Sequence, residues 1–168
     1  MVIGAQPAPH LAVLGYCGPM TLERTFELRI PGTPAELLAP ERVFGGRAPF
    51  RDLRREGQHL VGELVAYTPL MGDLRFPFRS RLHPEAEDRA LLVALSPADE
   101  PPAFWAELAG EGKAEGGALA YTIRVRLHAQ LPEGEKWGGK ALQRMAEAAF
   151  ERTISRALEN LGQGSVRR

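Results

Sequence analysis

Four histidines, one cysteine, two groups of carboxylates and a Gly-Lys pair are the residues of this 168-residue chain that could ligate a metal, attack a carbonyl, move a proton or hold a phosphate. Their spacing supports none of these. His10, His59, His83 and His128 are scattered, and no pair has the separation of a metal site. Cys17 stands alone, so an intrachain disulfide and a cysteine-based zinc site are both excluded; it also lacks a local helix or cation that would favour a thiolate. No G-x-S-x-G elbow occurs. Gly112-Lys113 lacks the glycine that a phosphate loop needs five residues earlier, where Glu107 stands, so AGEGKAEGG (109–117) reads as a hairpin tip. Glu85, Glu87 and Asp88, like Asp99 and Glu100, lie beside prolines as soluble turn material. No catalytic residue, metal ligand or cofactor follows from these motifs.

Two hydroxyls remain, and their positions matter more than their reactivity. In LRFPFRSRLH (74–83), Leu74, Phe76, Phe78 and Ser80 share one parity, with Arg75, Arg79 and Arg81 on the other. The stretch 119–131 repeats the rule, with Tyr121, Ile123 and Val125 opposite Arg124, Arg126 and His128. Both read as strands with an apolar inner face and a solvated arginine face. A sheet that grips nucleic acid would put its aromatics beside its arginines, so that bases stack next to phosphates; here they are on opposite faces. Buried without a partner, Ser80 and Tyr121 would each cost roughly 1–3 kcal/mol, so each demands an internal hydrogen bond or a bound polar group. Tyr67 is a third candidate, on a strand whose parity is ambiguous around Glu63.

These residues need elements to hold them. TFELRI (25–30) alternates as a half-buried strand. Thr33, Pro34 and Glu36 form an N-cap, first-turn proline and capping-box acid, predicting a short helix that stops near Pro40, with a second around 41–44. From residue 50 to 131 the chain is β in character, with turn formers spaced for a meander of six strands. A long helix over 139–161 closes it. Its stripe, which includes Met145, Phe150 and Ile154, recurs at three and four, and at ~1.5 Å per residue it spans ~33 Å, enough to cover a sheet. Packing stripe on sheet buries both. The candidate lining of the space between them is Leu74, Phe76, Phe78, Ser80, Trp105, Tyr121, Ile123, Val125, Met145, Phe150 and Ile154.

The length suits one domain, over residues 21–162, with residues 1–20 as a flexible extension and 163–168 as a tail. Met20 is a candidate natural start. Lys plus Arg equals Asp plus Glu at 21 each, so no global field steers the chain onto nucleic acid or an anionic membrane. No segment reaches the ~18 apolar residues of a membrane helix, and none reads as a secretory signal. The expectation is a soluble, cytoplasmic protein.

The order strand, two short helices, six strands and long helix, with GGRAPFRDLRREG after the small helices, resembles the START-like helix-grip superfamily, which includes Bet v 1-type proteins, polyketide cyclases and aromatases, and lipid-transfer domains. Within it the chain looks most like a small bacterial domain family of unknown function. The resemblance implies an α+β fold in which a curved antiparallel sheet of about seven strands wraps the C-terminal helix around an elongated cavity. It leads to the expectation of non-catalytic binding of a small, mostly apolar ligand such as a lipid, isoprenoid or aromatic metabolite, without cofactor or metal. One alternative is a cyclase/aromatase-type enzyme using Tyr121, Ser80 and Glu63. The other is a protein-interaction module using Arg75, Arg79, Arg81, Arg124 and Arg126.

Overall fold

Alternating residues build a seven-stranded antiparallel sheet from β1 (Pro19–Pro31), β2 (Phe50–Glu56), β3 (His59–Thr68), β4 (Gly72–Ala86), β5 (Arg89–Leu95), β6 (Phe104–Glu115) and β7 (Ala118–Gln130). The computed structural model describes residues 19–47, 49–68 and 72–130, together with Arg144, Ala148, Glu151, Arg152, Ser155, Arg156 and Glu159. The strands run in the order β1-β7-β6-β5-β4-β3-β2. Consecutive hairpins from β2 to β7 form a curled half-barrel, and β1 closes onto β7. Between β1 and β2 the chain crosses to the far edge through a 3-10 helix, Pro34–Leu38, and α1, Pro40–Phe44. This sheet and connection order is consistent with a helix-grip fold.

The start of the 3-10 helix is held as its sequence dictates: the Thr33 amide donates to the Glu36 carboxylate at 2.8 Å, and Pro34 occupies the first turn. Pro40 then limits it to five residues. The inner face of the sheet carries the core, with Leu28, Leu60, Leu64, Phe76, Phe78, Leu108, Leu119, Val125 and Leu127 all buried. Phe76 meets Phe104 edge-on with ring centroids 5.6 Å apart, and Phe78 meets Phe50 at 6.2 Å.

β1 begins at Pro19, six residues before the alternation that predicts a strand at 25–30. The reason is Arg24. It occupies an inward parity position between Leu22 and Phe26, which breaks the apolar pattern, and its guanidinium pairs with Glu151 at 2.6 Å. Likewise, 109–117 is not a hairpin tip: β6 continues to Glu115, and only Gly116-Gly117 make the turn.

The long C-terminal helix is not among the described elements. The described residues of that stretch, Arg144, Ala148, Glu151, Arg152, Ser155, Arg156 and Glu159, are helical, exposed except for half-buried Ser155, and recur at three and four. Met145, Phe150 and Ile154, the expected lining from this helix, lie outside the described residues.

On the outer face, Arg126 pairs with Glu23 at 2.9 Å and approaches Glu107 at 3.8 Å, and Arg124 reaches Glu23 at 3.9 Å. Arg79 lies 3.8 Å from Glu56 and 3.3 Å from the His59 ring. Arg75 and Arg81 have no ion-pair partner among the described residues. These arginines are solvent-facing, and exposed pairs of this kind contribute ~0–1 kcal/mol each.

Candidate functional site

Leu37 from the 3-10 helix and Pro40 and Phe44 from α1 lie over the inner face near β5, β6 and β7, and a hollow remains beneath them. Leu60, Leu82, Leu92 and Leu108 supply much of its wall, and Tyr121 and Ile123 complete it from β7. Its volume is about 40 Å³. That accommodates a water or two, or a single functional group, and is well below the ~300 Å³ of a cleft holding a whole small molecule.

Ser80 and Tyr121, the two hydroxyls expected to need partners, fare differently. The β5–β6 ladder ends at Leu92↔Gly110, so Leu108 has no β5 partner. Ser80 reaches across from β4 and donates its hydroxyl to the Leu108 carbonyl at 2.6 Å. It is fully buried and satisfied, a structural bridge between strands.

Tyr121 lines the hollow at 9 % exposure, and its hydroxyl is buried with no hydrogen-bond partner among the described residues. Its ring is clamped edge-on by Phe44, with centroids 5.1 Å apart, and lies close against Gly112. Burial first, and the negative charge of Glu36 second, push the phenol up to about 12. The group is therefore a neutral donor throughout the physiological range.

The shift has a sign that can be measured. Below pH 10 the phenol is protonated in folded and unfolded chains alike. Between pH 10 and about 12 the unfolded chain ionises first, so folding stability falls as pH rises through that window. Tyr121→Phe should remove this component of alkaline destabilisation. It should also leave the ligand-free protein at least as stable at neutral pH, by up to ~1 kcal/mol, because the unsatisfied hydroxyl is gone. Urea titrations of both proteins at pH 7 and at the alkaline end check both statements.

Leu74, Phe76, Phe78, Ser80 and Val125 share the buried inner face with Tyr121 and Ile123, but only the last two line the hollow. Trp105 does not join them. It projects from the outer face of β6 and stacks on the His128 ring at 4.0 Å, and Phe104 is the inward aromatic. His128 in turn bonds Glu107 at 2.9 Å. Glu63 also lies on the outer face, opposite Arg51 and Pro77, with one carboxylate oxygen buried and unpartnered among the described residues. Tyr67 is 65 % exposed on that face. Tyr121, Ser80 and Glu63 are thus not assembled into one catalytic group. Among the described residues no three His, Cys, Asp or Glu side chains converge as a metal site, and no helix is long and apolar enough to cross a membrane.

The hollow's cover was the part of the site that periodicity could not supply. Leu37 belongs to a helix whose start is legible in the sequence, but its seat beside Tyr121 depends on the absence of a side chain at Gly112, the strand partner of Tyr121.

No curated protein matches the chain. Solved structures that resemble it include TTHA0849 from Thermus thermophilus, with a TM-score of 0.48 and 15% identity over 84% of this chain and 95% of that one. The Zhui aromatase/cyclase from Streptomyces sp. R1128 gives 0.43 and 19%, over 89% and 95%. The di-domain ARO/CYC BexL from the BE-7585A biosynthetic pathway gives 0.45 and 14%, over 99% of this chain and 56% of that one, so the chain spans little more than half of that protein. A family profile described as "Protein of unknown function (DUF3809)" matches residues 25–159.

Proposed function

This chain belongs to DUF3809, a family of proteins of unknown function, and we propose that it binds a small, mostly apolar molecule, without catalysis, between the inner face of its sheet and the short helices that cover it. The observation that carries this reading is the Tyr121 hydroxyl, buried and unpartnered beside an otherwise apolar hollow. An orphaned hydroxyl in a packed interior costs free energy that folding alone does not recover, whereas a ligand that pairs it does.

The hollow as it stands receives one group of the ligand. Housing the remainder requires the two five-residue helices to move outward from the sheet, and their tether on the β2 side is light. Arg55 donates to the Leu38 carbonyl and lies 3.6 Å from Glu41, both at the junction of the helices. The catalytic alternative, in which Tyr121, Ser80 and Glu63 polarise a carbonyl or shuttle a proton, is disfavoured because Ser80 is committed to the Leu108 carbonyl and Glu63 lies on the opposite face of the sheet from Tyr121.

Titration with N-phenylnaphthylamine, a neutral apolar fluorophore, tests the proposal. Saturable enhancement at one site per chain is the expected result. Emission that climbs linearly with probe, or does not change, would count against a binding site for apolar molecules.

A further inference from the structure

The same site carries a statement about ligand class, which rests on the binding reading above. We infer that the bound molecule presents an uncharged, acceptor-only oxygen, a ketone, ester or ether, to the Tyr121 hydroxyl, and that carboxylate-headed molecules such as fatty-acid anions are rejected.

The geometry supplies three reasons. First, the unsatisfied group is a donor: the Tyr121 hydroxyl is buried and has no acceptor among the described residues. A carbonyl or ether oxygen accepts its proton and brings no donor that would need pairing in turn, whereas an alcohol brings one. Second, the hollow is about 40 Å³ and lined chiefly by aliphatic and aromatic carbon, so a head group placed there leaves water behind. Third, the charges around it have the wrong sign for an anion. Glu36 is close enough to Tyr121 to make ionisation of the phenol harder, while Glu111, the one charged residue among those bordering the hollow, has the outer-face parity of β6 and supplies no positive charge to it.

Among the described residues no lysine or arginine lines the hollow, and the two arginines nearest its rim are already committed. Arg89 is taken by Glu111 at 2.7 Å. Arg55 is occupied on all its nitrogens, donating to the Leu38 carbonyl through one arm and to the Gly57 carbonyl at 3.1 and 3.0 Å through the others, with Glu41 nearby. Glu41 itself keeps a buried oxygen without a hydrogen bond. A carboxylate in the hollow would therefore be desolvated near Glu36 with no cation in the lining, an unpaired buried charge. A neutral carbonyl would take the one free hydrogen bond at no such cost.

A matched chain-length series separates this inference from the reading beneath it. Protein loaded with N-phenylnaphthylamine is titrated with methyl octyl ketone, decane and decanoate, which share their carbon count and differ at the head. The ketone should displace the probe at about tenfold lower concentration than decane, the factor expected of one net hydrogen bond, and decanoate should be the weakest of the three. In Tyr121→Phe the ketone should fall to the level of decane while decane itself is unchanged. Displacement by decanoate at or below the ketone's concentration would overturn the inference, as would a ketone preference that survives in Tyr121→Phe; in either case the binding reading would stand. If neither the probe nor any of the three binds, the binding reading falls and the ligand class with it.

Discussion

Phe76→Ala is expected to lower the unfolding free energy by ~3–5 kcal/mol, measured by urea denaturation. Phe76 is 0 % exposed, sits within β4 across from Leu64 of β3, and meets Phe104 of β6 edge-on. Its truncation removes contacts to two other strands at once, and β4 is held in register against β3 at this point, so the void collapses poorly. Arg79→Gln, three residues along on the opposite face, should cost less than ~1 kcal/mol, because its contacts to Glu56 and His59 are exposed. A loss below ~1 kcal/mol for Phe76→Ala would mean that the inner face of β4 is not packed as described.

The second large effect comes from two glycines on the same face of β6. A Cβ at Gly110 would lie 2.5 Å from the Thr122 carbonyl oxygen and 3.2 Å from the Ile123 Cα, both backbone atoms of β7. Backbone in a paired strand cannot step aside, so Gly110→Ala must part β6 from β7, at ~2–3 kcal/mol or more. A Cβ at Gly112 would instead lie 2.8 Å from Tyr121 Cε1 and 3.0 Å from Leu37 Cδ2. Those are side-chain atoms, but the ring is held against Phe44 and must shift as a unit. Gly112→Ala should therefore cost ~1–2 kcal/mol, less than Gly110→Ala, and it places a methyl group in the hollow and displaces the ring that carries the hydroxyl. Its affinity for N-phenylnaphthylamine should drop by more than about tenfold, equivalent to ~1.4 kcal/mol of binding. Near-native probe binding by a stably folded Gly112→Ala protein would move the site away from Tyr121.

The strands that carry the inner face were legible because their burial is one-sided and their parity unbroken. Along β4 and β7 the alternation of Phe76, Phe78 and Ser80 with arginines, and of Tyr121, Ile123 and Val125 with Thr122 and Arg124, places each side chain on its observed face. Where the pattern failed, a specific residue interrupted it. Arg24 concealed the first half of β1, because its partner, Glu151, is 127 residues away. In β6 the adjacent Phe104 and Trp105 offer two parities, and only the pairing Phe104↔Ala129 decides which ring turns inward. The glycines of 109–117 resemble a turn until the close approaches of β7 and Tyr121 explain them.

The site was half visible. Ser80 and Tyr121 are equivalent in sequence, both inward hydroxyls with the same need for a partner. Their fates separate at the point where the β5–β6 ladder stops, which releases Leu108 for Ser80 and leaves Tyr121 without an equivalent. That is a property of strand length and curl, and no local spacing encodes it.

We propose that an apolar molecule with a neutral polar head occupies the space beneath the short helices, and native mass spectrometry of the protein, after incubation with a total lipid and metabolite extract and removal of unbound material, checks this. The wild-type chain should carry a single noncovalent adduct of a few hundred daltons, released on denaturation as an uncharged carbonyl- or ether-bearing molecule, and diminished in both Gly112→Ala and Tyr121→Phe. A bare mass throughout, or an adduct retained undiminished by both variants, would contradict it.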